Sequence, residues 1–324
     1  MRWTRPYTSI TAYFLITRLV IIFSSSNWVI AWAGIELNIL CFLPFCLAEK
    51  TKQAEGFVKY FLSQTIGRVI VLLGVLTIKP YSRFILCVGL ILKLGLAPLH
   101  FWFTAFFEYL TWWICFLSAT IQKFPYLCLI STLNNQIILF VILTATLTVI
   151  WAALAGWNQR DPRLILAYSS ISHAGWITLL FCYAPIEATS YFIIYSLLTI
   201  AIFSMLHGIF FFELTRNTTW LLVFFSFLLS LGGLPPFIGF SIKWIALYIV
   251  ANESIWLAFI LLIGALIRLV FYINLFWIFF TKSISYIKED RIFLINWQSS
   301  IILPSLVTLN LSGLIPYIIF FNWY

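Results

Sequence analysis

The chain alternates long apolar runs with short polar joints. Eleven runs stand out, at about 8–24, 27–47, 57–78, 83–106, 110–131, 136–157, 163–184, 187–213, 219–249, 254–281 and 299–321. A helix needs roughly 17–25 predominantly apolar residues to span a bilayer, and most of the runs have that length. The pattern predicts an all-α polytopic membrane protein with about eleven transmembrane helices. The ninth run is too long for one straight span, and Gly232-Gly-Leu-Pro-Pro236 cuts it in two. Pro98 interrupts the fourth run and Pro125 the fifth, because proline lacks an amide donor and clashes with the preceding turn. No linker or low-complexity segment divides residues 1–324, which read as a single transmembrane domain.

Composition sharpens this picture. The chain is 63% hydrophobic and 9% charged, with a mean hydropathy of +1.04, whereas soluble domains carry about 25% charge. The net charge of +9 comes without a basic tract of the kind that binds nucleic acid. Membrane topology explains it better. Eleven lysines and arginines fall on the face that carries the N-terminus, and only Lys79 and Arg83 on the other. This positive-inside bias predicts an N-terminus on the inner side, cytoplasm or matrix, and a C-terminus outside. Six cysteines lie within apolar runs and none forms a Cys-x-x-Cys pair, so buried thiols are expected and no metal site or cluster. No phosphate-binding glycine loop is present, so no nucleotide site is expected. Arg2 and Arg5 precede the first run without a cleavable signal pattern, and that run is expected to stay in the mature protein.

The remaining charges carry the chemistry. Arg18, Arg68, Lys93, Lys123, Lys243 and Arg268 lie inside runs, and Glu36 is the one deep acid. A charge at mid-membrane costs at least ~2.5–3.5 kcal/mol on insertion scales, so it marks an ion or substrate path. Three of these charges accompany an interrupted helix: Lys93 with Pro98, Lys123 with Pro125, and Lys243 with Pro235 and Pro236. Broken helices at paired positions point to a transport site built from inverted repeats. Dividing the chain after the fifth run gives repeats at about 8–131 and 136–281, with 299–321 as a further helix. The fourth run then matches the ninth, the fifth (Lys123) the tenth (Arg268), and the second (Glu36) the seventh (His173). Five spans is an odd number, so the repeats are inverted across the membrane. Proton transfer suits such a row: a lysine can give up its proton when desolvated, and an arginine cannot. Glu36 is expected to form a switched ion pair with Lys93. His173, in Ser169-Ser-Ile-Ser-His173, reads either as a packing histidine or as a supporting relay group. Arg18 and Arg68 read as structural or interfacial.

Several stretches together carry a family likeness: Trp32-Ala-Gly-Ile-Glu36-Leu-Asn38, Lys93-Leu-Gly-Leu-Ala-Pro-Leu-His-Phe-Trp102, Gln122-Lys123-Phe-Pro125, Leu166-Ala-Tyr-Ser-Ser-Ile-Ser-His173-Ala-Gly-Trp176 and Leu231-Gly-Gly-Leu-Pro-Pro-Phe-Ile-Gly-Phe-Ser-Ile-Lys243-Trp244. The chain resembles the antiporter-like membrane subunits of respiratory complex I, in the short form of animal mitochondria that lacks three N-terminal spans. The resemblance implies a proton path at Glu36, Lys93, Lys123 and Lys243. It implies a subunit of a proton-translocating NADH:ubiquinone reductase that performs no redox chemistry itself. NADH, FMN, iron–sulfur clusters and ubiquinone would be bound by other subunits. It also implies a mitochondrial inner-membrane location with the N-terminus in the matrix and the C-terminus in the intermembrane space. Its partners would be membrane lipids and the other membrane subunits, especially the sister antiporter-like chain 4 and chain 4L. The tenth run departs from the family's Tyr-x-Tyr-Leu-Arg stretch: Phe271-Tyr-Ile-Asn274 stands there, and Arg268 lies earlier. Two other readings compete. A subunit of a multisubunit Na+/H+ antiporter predicts extra N-terminal spans. A bracing subunit that has lost transport predicts loss of one of the four path residues.

Overall fold

A hydrocarbon solvent offers backbone amides and carbonyls no partner, so a chain this apolar satisfies them within helices. The computed structural model describes residues 6–25, 27–47, 54–77, 81–133, 135–211, 218–287 and 310–311. Among them lie thirteen helices: α1 (Pro6–Ser24), α2 (Trp28–Leu47), α3 (Ala54–Leu76), α4 (Ser82–Leu94), α5 (Phe101–Phe107), α6 (Trp112–Ala119), α7 (Phe124–Ser131), α8 (Asn135–Trp157), α9 (Pro162–Tyr183), α10 (Pro185–Phe211), α11 (Thr218–Gly232), α12 (Ile238–Glu253) and α13 (Ile255–Ile287). The protein is an all-helical membrane protein. Among the described residues, six stretches are long and apolar enough to cross a bilayer: Glu55–Leu76, Trp112–Ser131, Ile137–Trp157, Pro162–Tyr183, Pro185–His207 and Ile255–Thr281. The run at 299–321 lies outside the described residues except for 310–311.

Three apolar runs are each occupied by two helices. The fourth holds α4 and α5, the fifth α6 and α7, and the ninth α11 and α12. The first interruption spans residues 95–100. There the amides of Gly95 and Leu96 turn back to Leu92 O and Ile91 O, and Trp102 Nε1 donates to Leu92 O at 2.9 Å. The second covers 120–123 and ends before Pro125, which sits in the first turn of α7. The third covers 233–237. Pro125 is buried, whereas Pro98, Pro235 and Pro236 stand at the surface of the chain.

The chain divides into two compact units, Met1–Thr148 and Val149–Tyr324. In the first, α3 packs along α4, α1 along α2, and α7 against α4 and α1. Its core is aromatic. Phe106 of α5 stacks on Tyr60 of α3 at 4.5 Å and meets Phe57 and Phe42 edge-on at 5.8 and 6.4 Å. In the second unit α9 runs through the interior, with residues 165–181 buried except Tyr168, and α10, α12 and α13 pack around it. The outward faces of α3 and α13 are strings of exposed Val, Leu, Ile, Phe and Trp, as lipid-facing helices require. Cys41, Cys87 and Cys115 are buried, but Cys128 and Cys182 are only half-buried, against the expectation that all the thiols are enclosed.

Because lipid is as apolar as the core, the packing of rings, more than their removal from water, holds such helices together. Phe106→Ala leaves a cavity of up to ~100 Å³, which at ~24 cal/mol per Å³ costs about 2 kcal/mol. The expected outcome is a lower melting temperature of the purified protein. An unchanged melting temperature would show that the ring cluster does not tie α2, α3 and α5 together.

Candidate functional site

In the first unit the two lysines of the broken helices converge. Lys93, in the last turn of α4, is 2% exposed. Its Nζ donates to Gln64 O at 3.4 Å, while Gln64 Nε2 donates back to Lys93 O at 3.5 Å. Its stem passes Gly67 of α3, where a Cβ would meet Leu92 Cδ2 at 2.9 Å and Lys93 Cγ at 3.0 Å, so glycine is what lets α3 approach. Lys123, at the head of α7, is 4% exposed, and its Nζ lies 4.1 Å from the centre of the Phe103 ring, within cation–π range. Lys93, Lys123, Gln64, Gln122, Ser118 and Tyr126 line one small cavity of about 10 Å³ with aromatic walls, room for a single water. Gln64 Oε1 is a buried acceptor with no donor among the described protein groups.

Glu36 is paired, but with a different cation from the one expected. Its carboxylate accepts from Arg68 NH1 in a close ion pair, with side chains 28% and 26% exposed. Arg68 sits on α3, which packs directly on α2, and Trp32 Nε1 of α2 donates to Arg68 O at 3.3 Å. The neighbouring helix therefore supplies the counter-charge, and Lys93 stands one helix further on. Lys93 still lies within electrostatic range of Arg68, Glu36 and Arg18. Arg68 is thus a partner of the deep acid as well as a structural group. Two residues along α2, Asn38 Nδ2 donates to Tyr126 OH at 2.7 Å, tying the Glu36 helix to the cavity wall.

The second unit holds Lys243, His173 and Arg268. Lys243 Nζ donates to the carbonyls of Leu231 and Gly232, the latter at 2.6 Å. In an unbroken helix those carbonyls would accept from the amides of residues 235 and 236, and both are prolines. The lysine replaces the two donors that the prolines lack. Gly233 makes the geometry possible: its φ is +83°, and a Cβ there would meet Lys243 Cδ at 2.5 Å. His173, buried in α9, shares a hydrogen bond of 3.0 Å with Tyr191 OH through Nδ1 and stacks on Tyr195 at 4.8 Å. Arg268 is fully buried, with its guanidinium 5.6 Å from the Trp176 ring centre. Among the described residues no three His, Cys, Asp or Glu side chains gather as metal ligands would.

Sequence reasoning passed over the groups around the lysines. Gln64 and Gln122 bear no charge, yet an amide inside an apolar run is itself a signal. Asn38 and Tyr126 stood within or beside stretches already singled out, and Arg18 was set aside as structural.

Comparison with known proteins bears on this arrangement. Residues 79–268 match the sequence model described as NADH:quinone oxidoreductase/Mrp antiporter, transmembrane, a segment holding Lys93, Lys123, His173 and Lys243 but not Glu36. The chain is 31% identical to NADH-ubiquinone oxidoreductase chain 2 of Lumbricus terrestris, over 83% of this chain and 86% of that one. It is 33% identical to the protein of the same name from Anopheles gambiae, over 88% and 86%. A chain in the structure of respiratory complex I from Thermus thermophilus with bound aureothin shares the fold at a TM-score of 0.79. That match has 21% identity and covers 98% of this chain and 80% of the other. With the buried lysines and the interrupted helices within the matched segment, the chain belongs to the NADH:quinone oxidoreductase/Mrp antiporter transmembrane family.

Proposed function

We propose that the chain is a proton-translocating membrane subunit of respiratory complex I, which couples NADH:ubiquinone oxidoreduction to proton pumping. Besides family membership, one observation carries this reading: Lys93 and Lys123, from two different broken helices, line the same water-sized cavity. A water there lets a proton cross without either lysine moving far. As Lys93 Nζ gives a proton to the water oxygen, the water gives one of its own to the neutral amine of Lys123. The water is regenerated, and the charge has passed from Lys93 to Lys123. Gln64 and Gln122, at the same wall, orient that water. Glu36, held by Arg68, sets the field at Lys93; Lys243, with His173 as supporting relay, serves the corresponding step in the second unit. The four path residues are therefore Glu36, Lys93, Lys123 and Lys243.

The wider assignment follows the same reading. Eleven spans form two inverted repeats, about 8–131 and 136–281, and a last helix at 299–321; charge positions and helix interruptions support it. NADH, FMN, iron–sulfur clusters and ubiquinone belong to other subunits. Sister antiporter-like chain 4 and chain 4L are its neighbours in the mitochondrial inner membrane, with the N-terminus in the matrix and the C-terminus in the intermembrane space. The Na+/H+ antiporter reading gains nothing from relatives that are oxidoreductase chains at over 30% identity.

Lys123→Met keeps the apolar stem and removes the amine. It is expected to lower the number of protons moved per electron in reconstituted vesicles while the complex still assembles. An unchanged ratio would overturn the proton path. Because both lysines line one cavity, Lys93→Met combined with Lys123→Met should lower the ratio little further than either change alone.

Arg68→Gln removes the cation that holds Glu36. The expected result is a pumping loss similar to that of Glu36→Gln, with the double variant no worse, since one ion pair is broken in all three. Additive losses in that cycle would mean that Arg68 and Glu36 act separately.

A further inference from the structure

Pro125 creates a problem in the first unit like the one that Pro235 and Pro236 create in the second. In a continuous helix the amide of residue 125 would donate to Ile121 O, and proline has none. Here a different group meets the carbonyl. Arg18 of α1, fully buried, donates from NH2 to Ile121 O at 3.1 Å, from NH1 to Gln122 Oε1 at 3.2 Å, and from Nε to Leu15 O at 3.2 Å. Three acceptors, one on α1 and two in the α6–α7 interruption, are thus gathered by one rigid fork. The two residues that Arg18 grips on the far side immediately precede Lys123. Holding Oε1 of Gln122 also fixes that amide, so its Nε2 is the end available to the cavity that Gln122 lines with Lys123.

We propose that Arg18 is a positioning residue for Lys123: its guanidinium takes the acceptors left by the α6–α7 interruption, and so holds Gln122 and Lys123 at the cavity. In the second unit Lys243 itself fills the carbonyls that Pro235 and Pro236 leave. In the first unit that duty falls to an arginine, which keeps its proton and therefore can hold the break at every stage of the relay. The inference rests on the proton-path reading above.

The test measures protons moved per electron, normalised to assembled complex, for Arg18→Met, Lys123→Met and the double variant in reconstituted vesicles. A purely structural arginine would change the amount of complex and leave the ratio alone. If Arg18 positions Lys123, Arg18→Met lowers the ratio as far as Lys123→Met does, and the double variant falls no lower. Arg18→Lys, which keeps a charge but not the fork, should give an intermediate ratio. Should Arg18→Met fail to assemble, Gln122→Met, which leaves Arg18 its other two acceptors, takes its place with the same expected fall, beside the intermediate ratio of Arg18→Lys. A normal ratio in these variants beside a lowered one in Lys123→Met overturns the positioning role alone. A normal ratio in Lys123→Met overturns the proton path itself.

Discussion

A proline in a membrane helix strands a carbonyl, and in hydrocarbon that carbonyl must find a donor from inside the protein. Much of this structure follows from how that demand is met. Pro125 strands Ile121 O, and Arg18 reaches across from α1 to fill it. Pro235 and Pro236 strand Leu231 O and Gly232 O, and Lys243 folds back onto both. In each case a cation is drawn deep into the membrane by backbone polarity, and its burial is offset by the acceptors that it finds there. At these two interruptions the break and the buried charge therefore belong together.

The same logic divides labour between arginine and lysine. Arg18 and Arg68 each carry a fixed partner: a break in one case, Glu36 in the other. Lys93 and Lys123 can change charge, and they are the groups that line a cavity. In the first unit the arginines hold fixed partners, and the two lysines face the cavity.

Where the helices run and where they stop was legible in the sequence, because hydrophobic length and proline act locally. So was the burial of Lys93, Lys123 and Lys243, since each stands inside an apolar run. The partners were not. Glu36 looked toward Lys93 because both are deep and opposite in sign, yet Arg68 lies on the adjacent helix with its fork toward the carboxylate. Which cation wins depends on helix rotation, and the apolar runs are hydrophobic on every side, so they carry no stripe that fixes it. Gln64 escaped for a simpler reason, since an uncharged amide is a weaker signal than a charge, and Gln122 stands in a stretch that carries the family likeness without a role legible there. The tie from Arg18 to Gln122 joins the first helix to the α6–α7 interruption, a separation at which no local rule applies.

The size of the chamber between Lys93 and Lys123 has a consequence for selectivity. At about 10 Å³ it is of the order of one water. A sodium ion crossing there would have to shed nearly all its hydration and would meet two amines, which are poor ligands for a hard cation. A proton needs no room of its own, since it travels as an exchange of bonds along molecules already present. On the proposed path, such narrowness would favour the proton over a metal cation.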